Sequence, residues 1–231
     1  MDQSERPGRE RGGPSSRSSG RRSFLAAVAI VTGGALAGCG NLVSQPDGEG
    51  TQTARDVSLQ TPVKGTDDAP VTVSVYKDFA CPACRNFNAG ITPRLVEEYV
   101  DQGVVRLEHY DFPLDMHEPT SYTAANAARA VQHASDDEAF FSFADALFAN
   151  QSDLGPGTYA ELAGEVNVDG ERVQTAAEGR TYRHIVSADK ENGIDAGVRA
   201  TPTVFVDGSP VEQLSWSAIQ SRIERARPAD S

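Results

Sequence analysis

Residues 78–87, DFACPACRNF, contain two of the three cysteines of this 231-residue chain, Cys81 and Cys84. The segment VTVSVY at 71–76 alternates β-branched and other side chains, which predicts a β-strand. Beyond the cysteines, apolar residues recur at helical spacing, at Phe87, Ile91, Leu95 and Tyr99. The cysteine pair is therefore expected where a strand passes into a helix, and the helix is predicted to run from Pro82 to about Val100.

The predicted position of Cys81 at the start of a helix has chemical consequences. The first backbone N–H groups of a helix have no internal partner and carry positive partial charge, so they stabilise a thiolate and lower its pKa. Pro82 suits the first helical position, where its missing N–H costs nothing. Cys84 lies one turn further on the same face, near enough for a disulfide. The pattern favours a redox-active dithiol that needs no other cofactor.

Two other roles for the cysteine pair are less consistent with the sequence. Zinc usually takes four protein ligands, whereas the chain has one C-x-x-C and its histidines lack ligand spacing; they are His109, His117, His133 and His184. A structural disulfide across so short a loop would remove little entropy from the unfolded chain. No metal site is expected.

A second informative stretch, GVRATPTVFVDG at 197–208, places Thr201 and Pro202 directly before a predicted strand. A trans proline is acceptable at the first residue of a strand, so position alone does not decide the isomer. Three other segments complete a pattern with it, namely YKDFACPACRNF at 76–87, ITPRLVEEYV at 91–100 and ALFANQ at 146–151.

Together these segments resemble the DsbA-like thiol-disulfide oxidoreductases over residues 58–228. The resemblance implies an α/β thioredoxin fold, a mixed central sheet flanked by helices with an inserted helical subdomain at about 118–196. It also implies that Pro202 is cis and lies against Cys81, and that Thr201 offers backbone groups to an extended substrate strand. Pro82 and Ala83 then belong to the active site.

The remaining segments fit this architecture. Val104–Tyr110 predicts a strand parallel to the first one, and Pro93 should kink the helix after the cysteines. A hairpin is predicted from Val204–Val206 and Val211–Leu214, followed by a helix capped by Ser215. Apolar stripes indicate buried helix faces in the insertion; they include Ala124, Ala127, Ala128, Val131, Phe140, Phe143, Ala144, Leu147 and Phe148. We expect four or five strands.

The amino-terminal segment is typical of an export signal. Residues 1–22 are rich in Arg, Gly, Ser and Pro, and residues 24–38 form an apolar run too short to span a bilayer comfortably. Arg21-Arg22 resembles a twin-arginine signal, and the segment Leu36–Cys39 resembles a lipoprotein box in which Cys39 is lipidated. The prediction is a signal peptide at 1–38, a tether at 39–57 and an extracytoplasmic domain anchored to the cell membrane. An uncleaved membrane anchor is the alternative.

The charge of the chain limits its partners. The formal net charge is −12, and removal of residues 1–38 leaves 15 basic and 30 acidic residues. An excess of acids argues against a nucleic-acid partner. Evenly spread Asp and Glu with little Lys is typical of halophile proteins, although it also fits an ordinary soluble acidic surface. Expected partners are exported proteins with thiols or disulfides, and a membrane quinone-linked protein for reoxidation. A monomer is expected.

The residues around the cysteines leave the direction of electron flow open. Strongly oxidising relatives often have His where this chain has Ala83, and Val75 stands where relatives often bury a proton-handling carboxylate. Glu108 or Asp78 are candidates for that role, but each also fits a solvated surface acid. An oxidase, in which a substrate thiolate attacks an exposed Cys81 sulfur, is the first hypothesis. A reductase or isomerase is the second, and a non-catalytic binding lipoprotein is the third.

Overall fold

The computed structural model describes residues 57–228, so the predicted signal peptide, Cys39 and nearly all of the tether lie outside the described residues. Five strands form one sheet in the order β1-β3-β2-β4-β5. They are β1 (Val63–Lys64), β2 (Val71–Lys77), β3 (Val105–Asp111), β4 (Thr203–Val206) and β5 (Ser209–Pro210). β2 and β3 are parallel and the other neighbours are antiparallel, which gives the mixed sheet of a thioredoxin fold.

Helices flank this sheet, and most of them lie between β3 and β4 in the chain. They are α1 (Pro82–Gly90), α2 (Thr92–Leu95), α3 (Thr120–Ala134), α4 (Asp137–Ala149), α5 (Pro156–Glu165), α6 (Gly170–Glu178), α7 (Arg183–Asp195) and α8 (Trp216–Ala226). The helices α3 to α7 occupy the segment predicted as a helical insertion. Within residues 57–228, the helices are too short or too polar to cross a membrane.

The predicted single helix after the cysteines is interrupted. α1 ends at Gly90, and Pro93 lies in the first turn of α2. Proline removes a backbone donor and clashes with the preceding turn, so it is tolerated at a helix start and not within one. A π-helical turn, Val96–Val100, completes the segment. The expected kink is therefore a break between two helices.

Two hydrophobic clusters meet at α1. The sheet cluster packs β2 and β3 against α1 and α8, with Val73, Phe87 and Ile219 among its members. The insertion cluster contains the predicted stripes of α3 and α4, and it also contains Cys81, Cys84 and Phe79. The cysteines thus begin a helix whose first turn packs against the insertion and whose second turn packs against the sheet.

The hairpin after β4 differs from the prediction. Asp207 and Gly208 alone form the turn, with φ of 46° and 70°, and the returning strand is β5 instead of Val211–Leu214. Two residues with positive φ match the twist of paired strands. Asp207 Oδ1 also accepts a hydrogen bond from Thr72 N at 2.8 Å. The returning strand is short because the chain leaves the sheet soon after Pro210.

Candidate active site

The two cysteines lie at the start of α1, and their environments differ. Cys81 is the N-cap residue with extended backbone angles, and Pro82 follows in the first turn. Cys81 is 6% exposed and Cys84 is fully buried, whereas Pro82 and Ala83 are exposed. The Cys81 sulfur is therefore less accessible than the sequence predicted. Of the two sulfurs, only that of Cys81 can be approached from solvent.

The pKa of the Cys81 thiol is lowered to about 5. The largest cause is a hydrogen bond from the Cys84 thiol; Thr201 and the backbone N–H groups of Cys84 and Ala83 add to it, and burial opposes them. Burial raises the pKa of Cys84 above its usual range, because the interior disfavours a charged sulfur. Both cysteines are reduced in this structure. At neutral pH the site therefore holds a thiolate at Cys81 and a thiol at Cys84.

The loop before β4 lies across the sulfur of Cys81. The Thr201–Pro202 peptide bond is cis. Cys81 Sγ lies 3.5 Å from the carbonyl oxygen of Thr201, which is 120 residues away in sequence. Thr201 Oγ1 is buried and has no other hydrogen-bond partner among the described residues, which leaves its hydroxyl as a donor for a Cys81 thiolate. The tertiary structure thus brings the four predicted residues Cys81, Cys84, Thr201 and Pro202 together.

Asp78, three residues before Cys81, is buried, so the alternative of a solvated surface acid is wrong. Its backbone N–H donates to Cys84 Sγ at 3.4 Å. Its carboxylate accepts hydrogen bonds at 2.8–3.1 Å from Ala80 N, Leu114 N, His117 Nδ1 and Ser121 Oγ. Because these donors surround the carboxylate, Asp78 fixes the turn that leads from β2 into α1.

Glu108 does not take the place of a carboxylate at position 75. It accepts hydrogen bonds from Ser74 Oγ at 2.8 Å and Tyr110 Oη at 3.1 Å. Ser74 and Glu108 are paired across β2 and β3, one residue from the pair Val75 and His109. Since successive side chains of a strand point to opposite faces, Glu108 lies on the face away from α1.

Two residues with contacts to the site were missed by the sequence analysis. Gln151, which follows α4, donates its Nε2 to the carbonyl oxygens of Phe79 at 2.7 Å and Cys81 at 2.9 Å. Lys77, the last residue of β2, is 5% exposed and donates to Asn88 Oδ1 at 3.0 Å. The only sequence signal for Lys77 was a cation at an inward-facing strand position.

The histidines do not assemble a metal site in the part of the chain that the structure describes. Residues 57–228 contain no group of three His, Cys, Asp or Glu side chains suited to a metal ion. His109 is buried instead beside Asp111, with Nε2 and Oδ1 3.1 Å apart. Burial lowers the pKa of His109 to about 4, so its ring is neutral at neutral pH.

Comparisons with known proteins agree with this geometry. Residues 58–225 match the family model described as Thioredoxin. "Disulfide bond formation protein D" of Bacillus subtilis is 29% identical, over 71% of this chain and 76% of the relative. A "Probable disulfide bond formation protein D" of Bacillus cereus is 32% identical, over 63% of this chain and 69% of the relative. The crystal structure of oxidised BdbD from Bacillus subtilis aligns with a TM-score of 0.67 and 29% identity, covering 72% of this chain and 92% of that one.

Proposed function

This chain belongs to the thioredoxin family and is a DsbA-like thiol-disulfide oxidoreductase, and we propose that it introduces disulfides into exported proteins outside the cytoplasm. The exchange runs through the C-P-A-C dithiol of Cys81 and Cys84. Three of its relatives are named as disulfide bond formation proteins.

The observation that carries the oxidising direction is the low pKa of Cys81, about 5. A stabilised thiolate favours the reduced enzyme, so the enzyme disulfide gives up its oxidising equivalents readily. The nucleophilic cysteine has a pKa of about 7 in reducing thioredoxins and about 3.5 in the strong oxidant DsbA. Ala83 left this direction open, but the hydrogen bonds to the Cys81 sulfur favour oxidation.

The proposed reaction has two exchange steps. A substrate thiolate attacks Cys81 Sγ of the enzyme disulfide, which forms a mixed disulfide and breaks the bond to Cys84, whose sulfur takes the electron pair. The second substrate thiolate then attacks the substrate sulfur, forms the substrate disulfide and releases Cys81 as a thiolate. The stabilised thiolate makes Cys81 the better leaving group. The substrate is oxidised and the enzyme ends with two reduced sulfurs.

In this proposal Thr201 and Pro202 align the substrate in both steps. The Thr201 carbonyl oxygen lies beside Cys81 Sγ, and β4 begins directly afterwards at Thr203. An extended substrate segment that paired with the backbone of Thr201 would hold its cysteine against Cys81. Pro82 and Ala83 are exposed next to Cys81 and would border that segment.

The cellular setting is part of the proposal. The export-type segment at 1–38 supports an extracytoplasmic location, and a lipid on Cys39 followed by the tether at 39–57 would hold the domain near the membrane. A quinone-linked membrane protein would reoxidise the dithiol there. The acidic composition supports a halophilic source and argues against a nucleic-acid partner. The enzyme is proposed to act as a monomer.

The test of direction is the reduction potential of the purified domain in glutathione buffers. We expect a value above about −200 mV, and a value near that of thioredoxin, about −270 mV, would favour the reductase alternative. The Cys81→Ser variant tests catalysis itself. The variant should not oxidise a reduced protein substrate; if it nevertheless supported the biological role of the protein in cells, the non-catalytic binding alternative would replace the proposal.

The anchor has a separate test. Mass spectrometry of membrane-extracted protein should find a chain that begins at a lipid-modified Cys39. A Cys39→Ser variant should lose the modification and leave the membrane fraction. An intact wild-type chain with an unmodified Cys39 would refute the lipoprotein proposal and leave the thiol chemistry untouched.

A further inference from the structure

Lys77 is a buried cation behind the cysteine pair, and the exchange mechanism above gives it no role. Its Nζ donates to Asn88 Oδ1 at 3.0 Å and lies 5.0 Å from the ring centre of Phe148. Asn88 in turn donates to Asp145 Oδ1 at 2.9 Å, so the side-chain amide of Asn88 lies between the Lys77 ammonium and the Asp145 carboxylate. Burial of an ammonium without a direct carboxylate partner is costly, and such groups are often functional.

Two residues that adjoin Lys77, namely Asn88 and Asp78, also lie near Cys84. Asn88, the hydrogen-bond partner of Lys77, is one helical turn beyond Cys84 on the buried face of α1. Asp78, the next residue in the chain, donates its backbone N–H to Cys84 Sγ at 3.4 Å. The ammonium and the buried sulfur therefore lie against the same buried face of α1, without a direct hydrogen bond between them.

Lys77 also has a route to water. It lines a cavity of about 440 Å³ together with Asn88, Phe141 and Asp145. The same cavity is bordered by the exposed residues Glu97 and Asp101. Since a water molecule occupies about 30 Å³ in the liquid, the cavity has room for several of them. A proton lost by Lys77 can thus be replaced from solvent.

We propose that Lys77 is the internal proton donor and acceptor for Cys84, in a chain that lacks a carboxylate at position 75. When a substrate thiolate attacks Cys81, the disulfide breaks and Cys84 leaves with the electron pair. The Lys77 ammonium then gives a proton to Cys84 Sγ through an intervening water molecule, which yields a thiol and a neutral amine, and the amine regains a proton from water in the cavity. During reoxidation the ammonium first returns its proton to water in the cavity, and the neutral amine then accepts the proton of Cys84. This inference rests on the proposed exchange at Cys81 and Cys84.

The direction of transfer agrees with the electrostatics of the two groups. Burial lowers the pKa of Lys77, against the opposing charges of Asp145, Cys84 and Asp111. Burial raises the pKa of Cys84. A proton therefore passes downhill from the buried ammonium to the buried thiolate, which leaves no isolated charge on the sulfur.

The experiment measures the rate at which dithiothreitol reduces the Cys81–Cys84 disulfide of the full chain, by acid quench and mass spectrometry. Lys77→Gln keeps a hydrogen bond to Asn88 but has no transferable proton at neutral pH, so we expect about a hundredfold slower reduction, as is usual when a general acid is removed. Lys64 lines the same cavity, so Lys64→Gln is the matched control and should change the rate less than about twofold.

A second readout separates proton transfer from a structural role. Alkylation of reduced Cys81 by iodoacetamide at pH 7 should be unchanged in Lys77→Gln, because the helix start, Thr201 and Cys84 stabilise that thiolate. The proposal would be overturned if the Lys77→Gln disulfide were reduced at the wild-type rate. It would also be overturned if disulfide reduction and Cys81 alkylation were slowed equally in this variant. If wild-type protein itself did not react with dithiothreitol, the proposed function would fail instead.

Two further variants keep the test decisive if Lys77→Gln does not fold. Lys77→Arg keeps the charge but does not release its proton, so it should also be slow, and a wild-type rate would contradict the proposal. Lys77→Ala enlarges the cavity beside Asn88. Methylammonium added to this variant should increase its rate of disulfide reduction at least tenfold, with no effect on wild type. Absence of rescue in a folded Lys77→Ala protein would count against proton transfer.

Discussion

The active-site turn and a second buried charged region stabilise charge in different ways. The thiolate of Cys81 is held by a thiol, a threonine and backbone N–H groups, all of which are neutral donors. In the second region, Arg129 binds two carboxylates, Asp111 at 2.7 Å and Asp189 at 2.6 Å. Arg129 is in α3, Asp189 in α7 and Asp111 at the end of β3, so this ion cluster joins the insertion to the sheet.

The kind of partner distinguishes a reactive buried charge from a structural one. A thiolate stabilised by neutral donors can gain and lose its charge as disulfides form and break, because no buried counterion is left alone. In the ion cluster, burial works to raise the pKa of Asp111, but Arg129 and His109 outweigh it and hold that pKa below its usual value. Removal of one ion there leaves the others buried without compensation.

The largest effect is expected from Arg129→Met, which breaks the ion cluster and leaves the active-site turn intact. The variant should lose about 3–5 kcal/mol of unfolding free energy, since two buried carboxylates lose their cation. Urea denaturation measures this. Arg227→Ala, which removes an exposed pair with Glu224, is the control and should cost less than about 1 kcal/mol. A loss below about 1 kcal/mol in Arg129→Met would mean that the ion cluster does not stabilise the fold.

A smaller effect is expected from pH on the active-site turn. The folded pKa of Cys81 is lowered to about 5, so its stabilising contribution in the reduced protein is complete above the unfolded pKa and disappears as pH falls through 5. The rate of alkylation by iodoacetamide should fall to half near pH 5. Cys84→Ala removes the main donor and should move this midpoint upward, whereas Cys84→Ser, which keeps a donor, should move it less. A wild-type midpoint near 8.5 would contradict the assignment.

The smallest effect is expected from Gln151→Ala, which tests how firmly the insertion holds the active-site turn. The carbonyl oxygen of Phe79 loses its side-chain donor and that of Cys81 keeps only the bond from Arg85 N, so we expect a loss of about 1–2 kcal/mol in urea denaturation and an upward shift of the Cys81 pKa. Gln174→Ala, on an exposed helix surface, is the control and should change stability by less than about 0.5 kcal/mol. Equal behaviour of the two variants would show that the turn is held without Gln151.

Much of the fold could be predicted from local patterns. The alternation at 71–76 placed β2, the spacing after Pro82 placed α1, and Ser215 was correctly identified as a helix cap, with its hydroxyl accepting from Ala218 N. These predictions succeeded because strand alternation and helix capping involve residues close in sequence. The break before Pro93 and the short β5 were less predictable, because a proline marks a disturbance but does not say how the chain resolves it.

The surroundings of the cysteines were predicted less well. Asp78 was predicted to be either a proton-handling carboxylate or a solvated surface acid, yet its carboxylate is enclosed by donors from Leu114, His117 and Ser121. Gln151 and Lys77 were missed because a single polar residue in a sequence does not reveal which distant backbone or side chain it meets. Their partners depend on how α4 and β2 pack around α1.

The sequence alone determined that Cys81 begins a helix after a strand, with Cys84 one turn away, because helix geometry and capping are local properties. The tertiary structure decided how acidic Cys81 is, since that depends on Thr201, 120 residues away, and on how deeply each sulfur is buried. It also decided that Lys77, at the end of β2, is buried against Asn88 of α1. Burial and long-range contacts set the energy of a charge, and neither can be read from the residues beside it.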